Sequence, residues 1–459
     1  MRLVINNIGL VKEADIKLEG LTIIAGENDT GKSTVGKSLF SLIKGINIHQ
    51  KDFKEVIFTQ IEEIIDSIYF KIRKISKEFK RENSIEEVSM LYPPNIRRDL
   101  LKYLRIEDFQ GLRHYVQKYK EQLKNEMQNM DYSGASQREQ NALLREVDYL
   151  VSQLNEIVHG SQNPRDFITD TIMQVLKLEF GTDICNKYEE ECSKILYEEN
   201  GRFIFKADLK DNDFRQAQFA GGPLEIEDAT YIESPSVFQM HKMILETNLY
   251  SSTHNLNFSK RTKARKKTIP FHVEDLISKM SDSSYYNIGL ENENQKFIDE
   301  ISEIIEGESV LDRDLNEFSF ERRWENEIYS FDTSNVASGI KSFSMIQMLL
   351  KAQMINERSI LIIDEPEIHL HPKWQVKYCE IIVKLASLGV KVLVTSHSPY
   401  IIQALKVLAQ KYQINSNVNF YLAEKESQSM STNIVNVNDD LNSVFKKLSD
   451  PLQKLIWEK

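Results

Sequence analysis

Long apolar runs are missing from this sequence. None approaches the roughly 20 residues that a membrane-spanning helix needs, so an integral helical membrane protein is excluded. A secretory leader is not expected either, because the opening stretch, "MRLVINNIGLVKEADIKLEG", acquires charge too early. Cysteine is scarce: Cys185, Cys192 and Cys379 stand in no metal or disulfide spacing, which fits a reducing compartment. Positive charge is not in excess. With 58 basic against 69 acidic residues the net charge is −11, which argues against a surface that binds nucleic acid everywhere but allows a local basic patch. A soluble, cytoplasmic protein with no membrane partner is expected. Glycine and proline are sparse over long spans between residues 50 and 200, which excludes a loop-rich region there.

What is present is ordinary for a folded chain: 459 residues, 41% apolar and 28% charged, enough for two or three structural units. The first 25 residues contain three short runs rich in Val, Ile and Leu, "RLVINN", "ADIKL" and "LTIIA", which read as strands. From Gly31 the pattern "GKSTVGKSLFSLIKG" becomes helical and is expected to end near Gly45.

Between about 50 and 200 the periodicity is helical. Ile61, Ile65, Ile68, Ile72, Ile75 and Phe79 alternate steps of four and three, as do Leu143, Val147, Leu150, Leu154 and Ile157. Each seam lasts only two or three heptads, which favours a compact helical hairpin or small bundle over a long coiled-coil arm. A plain amphipathic domain with no partner has the same pattern. Strand character returns at "GRFIFKAD" and "DATYIES". A loop region then carries "SKRTKARKKT", with six basic residues, Lys260, Arg261, Lys263, Arg265, Lys266 and Lys267, among eight. Two readings stand: a solvated loop, or a patch that contacts nucleic-acid phosphates or docks an acidic partner. Arg265 and His272 also fit a loose Arg-x6-His ribonuclease spacing. After about residue 310 strands "NEIYSF", "SILIID" and "VKVLVTS" alternate with helices, which indicates a parallel sheet with crossover connections.

Four short runs carry chemistry. Gly26-Glu27-Asn28-Asp29-Thr30-Gly31-Lys32-Ser33 fits G-x-x-x-x-G-K-[ST] between an apolar strand and a helix. Glycines let backbone N–H groups turn onto phosphate oxygens, and the helix N-terminus adds partial positive charge. Lys32 can reach the β- and γ-phosphates of ATP, and the Ser33 hydroxyl can ligate Mg2+. "SILIIDEPEIHLHP" ends an apolar strand in Asp364 and Glu365, of which one can hold Mg2+ through water and the other polarise the attacking water. "VTSHSPY" sets His397 just past a strand expected beside that of Asp364, where a histidine can sense the γ-phosphate. "ASGIKS" puts Ser338 and Gly339 at a helix N-terminus, 26 residues before Asp364. The 332 positions between Lys32 and Asp364 imply a large insertion in one ATPase core.

Together, "GENDTGKST", "ASGIKS", "LIIDEPEIHLHP" and "TSHSP" resemble the Walker A, signature, Walker B and switch motifs of ABC-type ATPases of the OLD-like and RecF-like AAA group. The likeness covers about residues 1–50 and 310–405. It implies an α/β fold: an ABC-type P-loop ATPase head, a mixed sheet with crossover helices, carrying an inserted helical domain. The expected division is 1–50 and 201–459 for the head and 51–200 for the insertion. In such ATPases two heads dimerise with ATP between them, so a homodimer or higher homo-oligomer is implied. Nucleotide would be held by Gly26, Asn28, Asp29, Thr30, Gly31, Lys32, Ser33 and Thr34. Ser338 and Gly339 would reach the γ-phosphate on the other subunit's Lys32. Asp364 and Ser33 would serve Mg2+, Glu365 the proton transfer, and His397 the switch. Departures are visible too: "ASGIKS" lacks the second glycine and the glutamine of the transporter signature, and the Q-loop glutamine is unplaced, with Gln50 and Gln239 as candidates. His369 and His371 are expected to shape their loop rather than bind metal.

Three functions compete. One is an ATPase subunit that senses a trigger and controls a separate nuclease or toxin, as in the anti-phage systems Septu and PARIS. Another is a RecF- or SMC-like repair ATPase that clamps DNA. The third, a transporter subunit, is disfavoured by the insertion and the incomplete signature. OLD nucleases carry a TOPRIM domain on the order of 100 residues; about 60 residues follow His397 here, so none is expected, and Asp439-Asp440 reads as a solvated loop.

Overall fold

The computed structural model describes residues 1–75, 93–105, 108–129, 137–160, 164–241, 244, 269–282, 294–312, 317–325, 327–426 and 429–448. Fourteen strands run in chain order: β1 (Arg2–Ile8), β2 (Val11–Lys17), β3 (Leu21–Gly26), β4 (Ser193–Glu199), β5 (Arg202–Lys210), β6 (Asp213–Phe219), β7 (Asp228–Ile232), β8 (Glu308–Asp312), β9 (Glu317–Trp324), β10 (Glu327–Asp332), β11 (Ser359–Asp364), β12 (Lys391–Ser396), β13 (Val418–Lys425) and β14 (Thr432–Asn436). The described residues form two compact units, one from Met1–Asn47, Thr171–Thr253 and Lys266–Lys459, the other from Ile48–Asp170.

The first unit is built on an eleven-stranded mixed sheet, ordered β6-β5-β4-β1-β2-β14-β13-β3-β12-β11-β7. Burial explains the two halves. All six residues of β3 and of β11, and five of the six of β12, are buried. Strands apolar on both faces need helices on both faces, which is what parallel crossovers supply. β1 and β2 instead alternate buried and open positions and pair antiparallel, with one face covered. The strand read as "NEIYSF" does form, as β10. It belongs to a separate three-stranded sheet, β10-β9-β8, and every residue of it is exposed.

Two boundaries differ from the sequence expectation. The helix that starts at Lys32 does not stop at Gly45 but continues to Ile75. Gly45 is there for packing: a Cβ on it would lie 2.7 Å from the Cα of Ile172 in the helix Pro164–Phe180, so the glycine lets two helix backbones approach. Strand structure resumes at Ser193, before the "GRFIFKAD" run, because β4 inserts Ile195 and Tyr197 into the core as it pairs with β1.

The second unit is helical. Ile61, Ile65 and Ile68 from the first seam and Leu143, Val147 and Leu154 from the second share one buried cluster with Leu100, Leu112, Val116 and Leu123. The helices Pro93–Arg105, Phe109–Asn129 and Gln137–Gly160 are 13, 21 and 24 residues long, so they pack as a short bundle. Among the described residues no helix is long and apolar enough to cross a membrane.

A buried ionic quartet ties three elements of the first unit. Lys44 lies 2.8 Å from Asp228 and 2.6 Å from Asp275, and Lys279 lies 2.6 Å and 3.0 Å from the same two. Burial disfavours the charges, yet the partners prevail: Lys44 is held above its ordinary pKa by Asp275 and Asp228, and Asp228 below its own by Lys279 and Lys44. Lys279 also donates to the Ala229 carbonyl and the Thr230 hydroxyl. Removing one member of such a cluster strands a buried charge, at a cost of about 3–5 kcal/mol. Lys279→Met is therefore expected to lower the unfolding free energy of the first unit, read from denaturant curves, by that amount, while Lys351→Met, whose partner Glu308 is half exposed, changes it little.

Candidate functional site

β7, β11, β12, β3 and β13 are mutually parallel neighbours. Their C-terminal ends therefore lie on one edge of the sheet, where ligands bind in open α/β folds. The register is direct: Asp364 pairs with Thr395, Ser396 with Ala25, and Ile363 with Ile232. Residues 332 positions apart are thus brought to one place.

β3 ends in Gly26, and the chain turns through Glu27–Gly31 before the helix begins at Lys32. Two residues of the turn are left-handed, Asp29 at φ 60° and Gly31 at φ 71°. A Cβ on Gly31 would also meet Val11 Cγ2 at 2.8 Å, so this position needs glycine twice over. Thr30 Oγ1 donates to the Glu27 carbonyl at 2.7 Å and closes the turn. Among the described residues, the backbone N–H groups of Asn28, Asp29, Thr30 and Gly31 have no protein acceptor, as an anion cradle requires. Asn28 is exposed, Ser33 and Thr34 are half-buried, and Asp29 pairs with Lys425 at 3.1 Å. Lys32, only 4% exposed, donates from Nζ to the Glu27 carbonyl at 2.7 Å and lies 3.6 Å from Glu365 Oε1. The phosphate-loop lysine and the second carboxylate of "DEPE" thus face each other.

Asp364 is 5% exposed and accepts hydrogen bonds on both oxygens, from Tyr231 Oη at 2.8 Å and from Thr395 Oγ1. Glu365 stands at φ 49°, a conformation that costs a non-glycine residue about 1–3 kcal/mol and recurs at functional sites. Its amide donates to the Thr395 carbonyl at 3.1 Å, and its side chain is 23% exposed. His397 Nδ1 lies 3.4 Å from Glu365 Oε1 and 3.1 Å from Glu367 Oε1, without hydrogen-bond geometry to either. Ser338 starts the helix Ser338–Lys351, and Gly339 packs so closely that a Cβ would lie 3.0 Å from the Trp374 ring. Among the described residues, no hydrogen bond or ion pair joins Ser338 or Gly339 to residues 26–34.

As for Mg2+, the Ser33 hydroxyl and the Asp364 carboxylate are hard oxygen donors on one strand edge, which fits an ion that keeps waters and phosphate oxygens as its other ligands. Among the described residues no group of three or more His, Cys, Asp or Glu side chains forms a protein-only metal site. His371 caps the helix Pro372–Ser387 through Nδ1, and His369 stands at φ 68° in the preceding turn. Gln239 is exposed beyond β7, and the side chain of Gln50 lies outside the described residues. So do Lys260, Arg261, Lys263, Arg265, Lys266 and Lys267.

The sequence passed over several residues here. Glu367 lies inside the quoted "DEPEIH" run. Its Oε1 accepts from Ser396 Oγ at 2.9 Å and from the amides of His397 at 2.8 Å and Ser398 at 3.1 Å, so one buried carboxylate shapes the switch loop. Thr395, inside "VTSHSPY", binds Asp364. Tyr231, Glu233 and Glu179 had no motif to announce them. Of the loose Arg-x6-His pair, Arg265 lies outside the described residues, and His272 is 1% exposed with both ring nitrogens engaged, by Glu179 and Glu233.

The family model described as AAA ATPase domain matches residues 1–402. The chain belongs to that family, and it is an ATPase. Its first unit is an α/β head built on a mixed sheet, and ATP is its nucleotide class. Among solved structures it is similar to the SMC head domain from Thermotoga maritima, at 10% identity and TM-score 0.36 over 95% of this chain and 98% of that one. It is similar to the Smc head domain with a coiled coil and joint from Pyrococcus yayanosii, at 10% identity and TM-score 0.36 over 98% and 99%. It is similar as well to an ATP-binding cassette of an ABC transporter in its ADP conformation, at 10% identity and TM-score 0.32 over 100% and 99%. No curated protein matches the sequence.

His272 generates a pH prediction. Burial opposes its charged form, but hydrogen bonds with Glu179 and Glu233 outweigh it and lift the pKa from 6.5 to about 9. A group raised on folding stabilises fully below its unfolded pKa and loses that contribution as pH climbs through the folded one. The gap in denaturant midpoint between wild type and His272→Gln should be wide at and below about pH 6.5 and shrink by about pH 9, as urea titrations at both values would check.

Proposed function

We propose that this ATPase works as a pair of heads whose association, driven by ATP and Mg2+, reports a trigger to a separate effector, a nuclease or toxin, in anti-phage defence resembling Septu and PARIS. What carries the two-headed reading is the incomplete site. Lys32, Asp364, Glu365 and His397 share one strand edge, while among the described residues no hydrogen bond or ion pair joins Ser338 or Gly339 to the phosphate loop of their own chain. A second copy would supply them across the γ-phosphate.

In this reading the free amides of Asn28–Gly31 hold phosphate oxygens, and Lys32 turns its ammonium from Glu27 toward the β- and γ-phosphates. Asn28, Asp29 and Thr34 flank the nucleotide. Ser33 and Asp364 would hold Mg2+, which would supply charge neutralisation to the phosphate groups. Glu365 then takes a proton from the attacking water, and His397 hydrogen-bonds the γ-phosphate. The short helices of the second unit and the net charge of −11 favour an effector-linked role over a long-armed DNA clamp. The clamp reading is supported by one observation, the six cations in Lys260–Lys267.

Lys32→Ala is expected to abolish ATP binding, and unchanged affinity by calorimetry would sink the assignment. Glu365→Gln should bind ATP, stop turnover and accumulate dimers on a sizing column; wild-type hydrolysis in that variant would rule it out as base. Hydrolysis should be indifferent to double-stranded DNA. Strong stimulation, lost when the 260–267 cations are neutralised, would instead establish the clamp.

A further inference from the structure

Behind the acidic edge of the site runs a chain of side chains with no part in the chemistry above. Tyr231, fully buried, donates its hydroxyl to Asp364 Oδ2 at 2.8 Å. Its ring lies 4.6 Å, centroid to centroid, from that of His272. His272 is clamped from two sides by one carboxylate: Glu179 Oε1 accepts its backbone N–H at 2.8 Å, and Glu179 Oε2 lies 2.7 Å from Nδ1. Its remaining nitrogen, Nε2, lies 3.0 Å from Glu233 Oε2. Glu233 directly follows β7 and lines one small cavity with Ser342, Asp364, Glu365 and Pro366. Three carboxylates, Asp364, Glu365 and Glu233, therefore crowd one opening, with a single imidazole placed to orient two of the groups around them.

We propose that His272 is a positioning residue of this site: anchored by Glu179, it holds the Tyr231 ring and the Glu233 carboxylate, and through the Tyr231 hydroxyl it sets which lone pairs of Asp364 face a divalent cation. The geometry requires two donors on one ring. A neutral imidazole donates from only one nitrogen, whereas a protonated ring donates to Glu179 and Glu233 together. The raised pKa of His272 agrees with that state at neutral pH. Tyr231 is a donor here by geometry, its hydroxyl directed at Asp364 Oδ2. A fixed donor on one carboxylate oxygen takes up one of its lone pairs and orients the rest, which is how groups behind a metal ligand tune its affinity.

The inference rests on the ATP-site reading, and one experiment separates the two. Binding of a fluorescent ATP analogue would be measured while Mg2+ is titrated, in wild type, Tyr231→Phe, His272→Gln and Glu179→Gln, with thermal unfolding alongside. Tyr231→Phe removes only the hydroxyl and keeps the packed ring. It should need about tenfold more Mg2+ to reach the half-point, with unchanged affinity in EDTA. His272→Gln and Glu179→Gln should shift the same midpoint, and the Tyr231→Phe/His272→Gln double variant should be no worse than the worse single one. An unmoved Mg2+ midpoint in Tyr231→Phe overturns the proposal, as do additive shifts in the double variant. A fall in unfolding temperature alone, with the midpoint unmoved, also overturns it by reducing the chain to a structural role. If wild type binds no analogue at any Mg2+ concentration, the ATP-site reading fails instead.

Discussion

Parallel pairing of β3, β12 and β11 is the constraint on which the rest depends. Each of these strands is buried on both faces, so its backbone hydrogen bonds must be met by neighbours in the sheet and its register is held by packing on both sides. A one-residue slip of β11 against β12 would move Asp364 away from Thr395 and turn it to the other face. The site has little freedom of its own. It inherits its geometry from apolar strands that contribute no functional side chain until their last residue.

At that edge the competing terms are electrostatic. Lys32, Asp364 and Glu367 are all under one-tenth exposed, which is costly for charged groups unless each is met by a partner. Lys32 is met by a carbonyl and by Glu365, Asp364 by two hydroxyls, and Glu367 by two amides and a hydroxyl. These contacts are of unequal commitment. Those of Asp364 and Glu367 come from groups fixed in strands or at their ends. The Lys32–Glu365 pair, at 3.6 Å, is longer than a hydrogen bond. The scaffold around the carboxylates is thus rigid, and the lysine is the adjustable member.

Much of this was legible in the sequence, for a physical reason. A phosphate loop, a carboxylate at a strand end and a histidine after a strand are local arrangements, so each leaves a contiguous mark such as "GENDTGKST" or "LIIDEP". The alternation of strands and helices after residue 310 announced the parallel core for the same reason. Tyr231, Glu179 and His272 left no mark because their meaning is made by tertiary contact among residues up to 93 positions apart. Gly45 misled because glycine ends helices and also admits close helix packing, and only the position of Ile172 tells the two apart. Glu367 stood in plain view within a motif, yet its role depends on where the amides of His397 and Ser398 fall.

The same distinction bears on how the head can be coupled to anything else. The candidate site residues cluster at strand ends, but Tyr231, Glu179 and His272 connect Asp364 to the helices Pro164–Phe180 and Phe271–Asp282. Lys44, Asp228, Asp275 and Lys279 link the phosphate-loop helix to the same helix Phe271–Asp282. Movement of that helix would therefore be felt at two points, the helix that begins at Lys32 and the Asp364 carboxylate. Coupling needs a physical element with two arrangements that both sites bias. The helix Phe271–Asp282 is tied by one ionic cluster and one imidazole clamp, and either tie breaks only by leaving a buried charge unpaired. An effector or a second head that shifts the helix would act on the chemistry without touching the nucleotide.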